Sequence, residues 1–354
     1  MPAEWEKQRA VWIAWPHECK SKGYAMKLEG TYLRLVELMQ TGQIVQIVVP
    51  SRRYREHIEQ QFKFYGIEDK NISFILTMTD DVWVRDYGPT FVIDNSQLKV
   101  IKWNFNGYGG RYEFLYDNHA GNVIAKKALS EHEKMNISYP GIVLEGGNIE
   151  TNGQGIIMLC KSAVLNPGRN PGITQKYAES LLKEYLGALR IIWLTGMVTE
   201  NVEKTGWSDD TDTHVDTIVR FVDLNRVVAV WTDDKSDPAY ELFQNAYYEL
   251  KNQGLDVVKL PTVKAGFYSH SNIGASGSIA ANNQALRTDA SYANFVITND
   301  KIIVPVYGKR EDDIAKGILR EQFPCREVVG LFAGHLAENG GEFHCLTQQE
   351  PAVS

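Results

Sequence analysis

Four polar segments of the chain carry side chains that can do chemistry. They read D-D-V-W-V-R-D-Y-G-P (80–89), L-E-G-G-N (144–148), S-D-D-T-D-T-H-V-D-T (208–217) and G-G-E-F-H-C (340–345). Each places an acid, a histidine or a cysteine close to a glycine or a predicted turn, at the point where an apolar strand meets a hairpin. The chemistry of these segments depends on whether the fold brings them together.

The candidate side chains also have ordinary structural interpretations. Asp86 is typical of an aspartate that caps a turn, and Glu145 of a charge at the edge of a hairpin. His214 and Asp216 point to one face of a strand, where a structural hydrogen bond is common. Cys345 alone is typical of a small buried core residue. Their occurrence at equivalent corners of four units favours a shared pocket instead.

Such a pocket would combine a thiol, a histidine and several carboxylates. A thiolate is a competent nucleophile, and a nearby histidine lowers the pKa of the thiol. Carboxylates oppose ionisation of the thiol unless a cation enters, and they bind a guanidinium group bidentately. The cluster therefore favours a planar cation whose carbon Cys345 attacks. Esters and amides would need an oxyanion hole rather than a ring of acids.

The elements that would position these residues repeat along the chain. Each of four predicted hairpins has a turn of Asn, Asp or Gly between two apolar arms. The hairpins cover 90–103, 148–160, 217–231 and 295–307. Short strands are predicted at 9–16, 72–78, 141–145, 190–194, 256–260 and 326–331, and helices at Thr174–Leu186, Asp237–Lys251 and Asp312–Leu319.

This order predicts a repeating unit of a strand, a hairpin and a helix, with an incomplete last copy. Pairing the N-terminal strand with the C-terminal segment would complete a fifth unit and close a ring, which removes exposed sheet edges. We therefore expect one closed five-unit α/β domain over residues 1–354. A mixed α/β fold of two domains is the alternative.

Composition excludes several classes of protein. The chain has 44% hydrophobic and 23% charged residues, as expected for a globular enzyme. It lacks a membrane-length apolar run and an N-terminal apolar signal, which predicts a cytoplasmic location without membrane contact. A net charge of −7 argues against a nucleic-acid partner. The four cysteines are far apart and predict neither disulfides nor a zinc ribbon.

The motifs W-V-R-D-Y-G-P, L-E-G-G-N, D-D-T-D-T-H-V-D, Y-A-N-F and H-C-L-T-Q-Q occur in the order found in a known family. The chain resembles the agmatine deiminases of the guanidine-modifying (pentein) superfamily, which includes arginine deiminases and bacterial peptidylarginine deiminases. The resemblance covers nearly the whole chain. It implies a five-bladed pseudo-symmetric α/β propeller of ββαβ units that hydrolyses agmatine, a small cationic guanidine, to N-carbamoylputrescine and ammonia.

The resemblance also implies roles for individual residues. Cys345 would be the nucleophile that forms an amidino intermediate, and His214 the acid and then the base. Asp86 and Asp216 would hold the guanidinium nitrogens, and Glu145 would sit against His214 or the substrate. Trp83 would pack on the aliphatic chain of the substrate. No metal or organic cofactor is implied, and a homo-oligomer is compatible with the sequence.

The chain departs from the family pattern near the pocket rim. It has Lys7-Gln8 for Pro-His, Thr213 for a glycine, and Glu342-Phe343 for Asn-Ile, and it lacks a family histidine near Glu150. The choice among agmatine, free arginine and peptidyl-arginine therefore stays open.

Charged residues near the pocket bear on that choice. Arg85 and Arg287 are candidates for binding the carboxylate of free arginine. Asp209, Asp210 and Asp212 are candidates for binding a primary ammonium group, which favours agmatine. The role of Glu342 stays open.

Two functions from other classes remain. A metal-dependent hydrolase would use His214, Asp216, Glu145 and Cys345 as ligands, although the chain has no H-x-x-x-H. A non-enzymatic binding propeller would have degraded polar corners. The stretch 263–292, rich in Ser, Asn, Ala and Gly, is either a lid over the site or an ordered crossover.

Overall fold

The structure is a computed structural model of the chain. It describes residues 1–18, 23–130, 137–197, 209–263 and 290–353, together with the backbone of two short strands at 268–269 and 286–287. Within these residues, no helix has the length and apolar character needed to cross a membrane.

Four sheets share one plan, in which two antiparallel strands form a hairpin and a third strand runs parallel to the second. The first two sheets contain β4 (Thr90–Asp94), β5 (Gln97–Ile101) and β6 (Ile137–Ser138), and β7 (Glu150–Thr151), β8 (Ile156–Cys160) and β9 (Arg190–Leu194). The other two contain β10 (Val219–Phe221), β11 (Arg226–Trp231) and β12 (Asp256–Pro261), and β15 (Val296–Ile297), β16 (Lys301–Val306) and β17 (Glu327–Phe332). All four predicted hairpins are therefore present.

The fifth sheet joins the two ends of the chain. Its strands are β18 (Thr347–Pro351), β1 (Gln8–Ala14), β2 (Ile44–Val49) and β3 (Ile72–Leu76), in that order. β18 pairs antiparallel with β1, while β2 and β3 run parallel to it. The expected pairing of the N-terminal strand with the C-terminal segment is thus present. Two further strands, β13 (Tyr268–Ser269) and β14 (Leu286–Arg287), pair only with each other.

Two strand assignments differ from the sequence-based expectation. The predicted strand at 141–145 is wrong: β6 lies earlier, at Ile137–Ser138, and Val143 forms only an isolated bridge with Asn104. Residues 141–145 instead lead into a tight turn, because Glu145 and the glycines after it begin a 3-10 helix. The strand β2 was not predicted from its sequence, although it is buried inside the fifth sheet.

Ten α-helices connect the strands within the described residues. They are α1 (Tyr24–Met39), α2 (Arg52–Tyr65), α3 (Val84–Tyr87), α4 (Gly107–Gly110), α5 (Leu115–Leu129), α6 (Lys161–Val164), α7 (Gln175–Leu186), α8 (Tyr240–Asn252), α9 (Glu311–Gln322) and α10 (Gly334–Ala337). The three predicted helices correspond to α7, α8 and α9. The N-terminus of α7 is capped by Thr174, whose hydroxyl accepts from the Tyr177 backbone N–H at 3.2 Å.

The apolar core consists of three clusters of buried side chains. The largest contains α1, β1, β2, β11 and β16, the second surrounds α5 and β5, and the third lies between α7 and β8. These clusters pack the helices against the small sheets of the mixed α/β fold, and the polar segments lie at the ends of the strands that this packing holds in place.

Candidate active site

Each of the four predicted polar segments folds into a tight turn directly before the first strand of its sheet. Asp86 lies on α3, before β4. Glu145 immediately precedes the 3-10 helix Gly146–Asn148, before β7, and His214 precedes the 3-10 helix Val215–Thr217, before β10. Cys345 lies in the turn before β18. These turns place buried polar side chains at the ends of the strands.

The thiol of Cys345 is buried and faces a carboxylate and an amide. Its Sγ lies 3.7 Å from Asp216 Oδ2, and Asn294 Nδ2 donates a hydrogen bond to Sγ at 3.2 Å. A Cβ added at Gly341 would lie 2.8 Å from Trp83 Cζ3 and 3.2 Å from Cys345 Cβ. Trp83 and Cys345 therefore line one small space.

Asp86 lies on the other side of the cluster. Its Oδ2 accepts a hydrogen bond from the Tyr108 hydroxyl at 2.9 Å, and its Oδ1 accepts one from the Gly147 backbone N–H at 2.9 Å. His214 Nδ1 lies 3.6 Å from Asp86 Oδ1. Neither ring nitrogen of His214, although buried, makes a hydrogen bond with a residue that the structure describes.

Gly147 shows how closely these side chains approach one another. A Cβ added there would lie 2.6 Å from His214 Nδ1, 2.8 Å from Asp86 Oδ1 and 3.1 Å from Asp216 Oδ2. Three of the predicted residues therefore converge on one backbone position, where only glycine leaves room for them.

Asp216 is anchored by the histidine that precedes Cys345. His344 Nδ1 lies 2.6 Å from Asp216 Oδ2, and His344 Nε2 lies 2.9 Å from Glu4 Oε2. The charge and hydrogen bonding of His344 hold the pKa of Asp216 below its usual value, although burial alone would raise it. His344 therefore bridges the carboxylates of Asp216 and Glu4. Asp216 Oδ1 is buried and makes no hydrogen bond with a described residue.

The pKa values of the two aspartates are therefore shifted in opposite directions, that of Asp216 downward and that of Asp86 upward. Burial raises the pKa of Asp86 above its ordinary value, His214 opposes this, and the charge of Asp216 adds to it. Burial also raises the pKa of Cys345 well above its usual value, and the charges of Asp216, Asp86 and Glu342 add to that rise. The Cys345 thiol is consequently neutral until a positive charge enters the cluster.

Glu145 lies beside a buried arginine. Arg169 Nε donates to Glu145 Oε1 at 3.0 Å, and Arg169 Nη1 forms an ion pair with Asp212 Oδ2. Glu145 Oε2, like the nitrogens of His214, is buried and has no hydrogen-bond partner among the described residues. Glu145 therefore has one oxygen fixed by Arg169 and one oxygen available to a group in the cluster.

The carboxylate of Asp212 is engaged by two arginines and an asparagine. Arg111 binds Asp212 bidentately at 2.8 and 2.9 Å, Arg169 adds a second guanidinium, and Asn166 Nδ2 donates at 3.2 Å. These contacts favour a structural role over contact with a substrate ammonium group. Asp210 is likewise engaged, because its carboxylate accepts from the Tyr112 hydroxyl.

The loop before His214 is strained, and its acids hold it in place. Asp212 and Thr213 have φ values of 59° and 71°, a left-handed conformation that is costly for residues with side chains. Asp209 stabilises the loop, since it accepts from the Thr211 and Thr213 backbone N–H groups at 2.8 Å each. The hydrogen bonds of Asp209 thus hold the strained backbone at Asp212 and Thr213, which directly precedes His214.

The remaining predicted residues have defined places. Arg85 is buried and donates to the His344 carbonyl at 3.2 Å and to Gln349 Oε1 at 2.6 Å. Glu342 Oε1 accepts from the Tyr307 hydroxyl at 2.9 Å. The side chain of Arg287 and most of the stretch 263–292 lie outside the described residues.

Sequence reasoning missed several members of this site. His344, Tyr108 and Gly147 were not assigned roles, although the H-C pair and the L-E-G-G-N segment contain two of them. Asn294 lies in the Y-A-N-F segment, which forms the turn before β15. No polar segment was predicted for this sheet. Among the described residues, no group of three or more His, Cys, Asp or Glu side chains has an arrangement that could hold a metal ion.

Comparisons with known proteins identify the family of this chain. The family model described as Porphyromonas-type peptidyl-arginine deiminase matches residues 1–351. The agmatine deiminase of Stutzerimonas stutzeri is 33% identical, over 99% of this chain and 95% of its own length.

Solved structures of related proteins also match the chain over its whole length. The agmatine deiminase of Enterococcus faecalis has a TM-score of 0.86 at 28% identity, covering 100% of this chain and 96% of its own. A cysteine-to-serine variant of the C. jejuni agmatine deiminase with substrate bound has a TM-score of 0.83 at 29% identity, with the same coverage. The chain therefore belongs to the Porphyromonas-type peptidyl-arginine deiminase family, as its motifs indicated.

Proposed function

We propose that this chain hydrolyses agmatine to N-carbamoylputrescine and ammonia. The observation that carries the proposal is a pair of buried aspartates beside a buried thiol: Cys345 Sγ lies 3.7 Å from Asp216 Oδ2, and Asp86 and Asp216 face the same glycine, Gly147. Buried carboxylates need a compensating cation, and a planar guanidinium offers several N–H donors in one plane.

The substrate guanidinium lies between Asp86 and Asp216. Asp216 Oδ1, which makes no hydrogen bond with a described residue, accepts from one substrate nitrogen. Asp86 Oδ1 accepts from another, while Tyr108 and Gly147 hold the carboxylate in place. The positive charge of the substrate reverses the local electrostatics, because it lowers the pKa of the Cys345 thiol that the carboxylates had raised.

The reaction then proceeds through a covalent intermediate. As the cation enters, the Cys345 thiol gives its proton to His214, and the resulting thiolate attacks the guanidinium carbon to form a C–S bond. His214 gives a proton to the departing nitrogen, the C–N bond breaks, and ammonia leaves. His214 next takes a proton from water as the water oxygen bonds to the amidino carbon, and the C–S bond breaks to release the ureido product. Glu145, fixed on one oxygen by Arg169, supports the charge that develops on His214.

The preference for agmatine rests on two observations. The guanidinium of Arg85, a candidate for binding a substrate carboxylate, instead binds the His344 carbonyl and Gln349. Relatives named as agmatine deiminases match the chain over nearly its full length. Trp83, which packs against Gly341 beside Cys345, forms a wall for the aliphatic chain of the substrate.

The same proposal includes the closed ring. Four sheets share one strand plan, and β18 and β1 join the chain ends in the fifth, which supports five units arranged around the cluster in a single domain. The polar turns of the units then lie at equivalent positions facing the centre.

Competition among substrates tests the proposed function. We expect kcat/KM for agmatine to exceed that for free arginine and for a blocked arginine peptide, with ammonia release as the measurement. The matched control is Cys345→Ser, in which ammonia release should fall at least about a thousandfold for each substrate. A higher kcat/KM for the peptide would overturn the substrate assignment, and full turnover by Cys345→Ser would overturn the mechanism.

A further inference from the structure

The start of the chain contributes a buried carboxylate next to the cluster. Glu4 belongs to the segment P-A-E-W (2–5), which precedes β1 and has no part in the reaction described above. Its Oε2 lies 2.9 Å from His344 Nε2, and His344 Nδ1 lies 2.6 Å from Asp216 Oδ2. A continuous line of contacts therefore joins the N-terminal segment to a carboxylate that faces the proposed substrate.

The two contacts together fix the plane of the His344 imidazole. Each ring nitrogen lies within hydrogen-bond distance of one carboxylate oxygen, so rotation of the ring would break both contacts. The ring in turn holds Asp216 Oδ2 in place. Because the two oxygens of a carboxylate move together, this also fixes the position of Asp216 Oδ1, which makes no hydrogen bond with a described residue.

Glu4 is itself held by groups on two of the sheets. Its Oε1 accepts from the Ile297 backbone N–H at 2.8 Å, and its Oε2 forms an ion pair with Arg220 Nη2 at 2.5 Å. Arg220 is fully buried, and its Nε donates to Glu150 Oε2 at 3.0 Å. Although burial alone would raise the pKa of Glu4, the charges of Arg220 and His344 hold that pKa well below its usual value. Glu4 is therefore an ionised and firmly anchored partner for the imidazole.

We propose that Glu4 is a positioning residue, which acts through His344 to hold Asp216 in the orientation that accepts the substrate guanidinium. The inference rests on the proposed function, in which Asp216 binds that group. Partners behind a ligand-binding side chain fix its orientation, and their loss weakens binding although they never touch the ligand. Glu4 takes this place behind Asp216, with the imidazole between them.

The other charged groups near His344 do not hold its ring. Both oxygens of Glu150 accept hydrogen bonds from groups on β10. Arg85 donates to the backbone carbonyl of His344 and not to the imidazole. Among the described residues, the hydrogen-bond partners of the two ring nitrogens are the carboxylates of Asp216 and Glu4. Removing the Glu4 carboxylate therefore leaves the ring attached only to the group that it positions.

The test is a double-mutant cycle on the binding of agmatine. All variants carry Cys345→Ser, so that binding is measured without turnover, and Kd is obtained by isothermal titration calorimetry. In Glu4→Gln, which keeps the size of the side chain but removes its charge, Kd should rise about tenfold. In Asp216→Asn it should rise about a hundredfold. The two substitutions together should raise Kd no further than Asp216→Asn alone, because Glu4 acts through Asp216.

Turnover by the enzyme that retains Cys345 separates positioning from a loss of folded protein. In Glu4→Gln, KM for agmatine should rise about tenfold, whereas kcat should change less than about threefold, because Asp216 binds the guanidinium both before and during the reaction. A purely structural role of Glu4 would lower the amount of active enzyme, and so the apparent kcat, without changing KM.

Two further variants keep the result interpretable. Glu350→Gln is the matched control, because Glu350 is a fully buried glutamate that forms an ion pair with an arginine, Arg9. It should change Kd less than about twofold. His344→Asn breaks the same link from its other end, since the shorter amide donates to Asp216 but does not reach Glu4. It should raise Kd as Glu4→Gln does, so the test stands even if Glu4→Gln fails to fold.

The outcomes separate this inference from the proposed function. If folded Glu4→Gln or His344→Asn protein binds agmatine as tightly as the Cys345→Ser parent, while Asp216→Asn weakens binding, the role of Glu4 is wrong and the proposed function stands. Additive effects of Glu4→Gln and Asp216→Asn, or an equal effect of Glu350→Gln, would also overturn the role of Glu4. If Asp216→Asn leaves Kd unchanged, the proposed role of Asp216 is wrong, and the inference fails with it.

Discussion

Two groups of buried carboxylates lie close together in this protein, and they differ in what neutralises them. Asp212 and Glu145 both bind the guanidinium of Arg169, and Arg111 adds a second guanidinium to Asp212. Asp86 and Asp216 have histidines as their ion-pair partners among the described residues, at 3.6 and 2.6 Å. Arginines therefore form direct ion pairs with both carboxylates of the first group, whereas no arginine among the described residues does so with Asp86 or Asp216.

This difference in ion-pair partners indicates what Asp86 and Asp216 bind. Arg169 lies between Glu145 and Asp212 in the way we propose that a substrate guanidinium lies between Asp86 and Asp216. An arginine paired with carboxylates is a stable buried arrangement only when both partners are present. The cluster at Asp86 and Asp216 therefore has the chemistry of the Arg169 site, but the cation has to come from the substrate.

Replacing one aspartate from each group gives the largest expected contrast. In Asp86→Asn, kcat/KM for agmatine should fall about 100-fold or more, because a charge that binds the guanidinium is removed. Its Tm should stay the same or rise, because burial raises the pKa of Asp86 and so makes the ionised carboxylate costly in the folded protein at neutral pH. Steady-state kinetics and thermal unfolding provide the two measurements.

Asp212→Asn should behave in the opposite way. The buried guanidinium of Arg169 and the half-buried guanidinium of Arg111 each lose a carboxylate partner, so the free energy of unfolding should fall by about 3–5 kcal/mol. The loss of activity at a temperature where the variant is folded should be smaller than in Asp86→Asn. If the Tm of Asp86→Asn fell as far as that of Asp212→Asn, the two groups would not differ as we describe.

A smaller contrast uses two tyrosines, one that donates to Asp86 and one that donates to Asp210, a carboxylate of neither group. In Tyr108→Phe, Asp86 loses the hydroxyl that lies 2.9 Å from Oδ2, and kcat/KM should fall about tenfold. In Tyr112→Phe, Asp210 loses a hydrogen bond from the tyrosine hydroxyl while the ring that packs against Tyr108 is kept, and kcat/KM should change less than about twofold. Equal effects of the two substitutions on kcat/KM would contradict the distinction.

Much of the fold could be predicted from local sequence. The hairpins at 90–103, 148–160, 217–231 and 295–307 combine alternating apolar arms with Asn, Asp or Gly turns, so local chemistry determines them. The segment at 141–145 is apolar in the same way, but its backbone enters a glycine turn and does not pair as a strand. A short apolar run does not determine whether it pairs, because pairing depends on the partner.

In the site too, local motifs identify some residues, whereas contacts between distant parts of the chain cannot be predicted from them. The motif residues Cys345, His214, Asp86 and Asp216 could be identified because their types suit one chemistry and their positions follow the repeat. Within the run D-D-T-D-T-H-V-D, the sequence does not show which aspartates pair with arginines of the protein. The pairing of Asp212 depends on arginines 43 and 101 residues away in the chain.

The contact between Asn294 and Cys345 is a second feature that the sequence does not predict. An asparagine in a turn is common, and nothing in its neighbours shows that its amide reaches the sulfur of Cys345, 51 residues further along the chain. Only the packing of two units against each other brings these two side chains together.

The central claim is that Cys345 attacks a guanidinium carbon held by Asp86 and Asp216. The most direct measurement is mass spectrometry of peptides after an acid quench of the enzyme turning over agmatine. The account predicts an adduct with the mass of agmatine less ammonia on Cys345, and its absence in Asp86→Asn treated in the same way. The same adduct on Cys19, Cys160 or Cys325, with Cys345 unmodified, would contradict it.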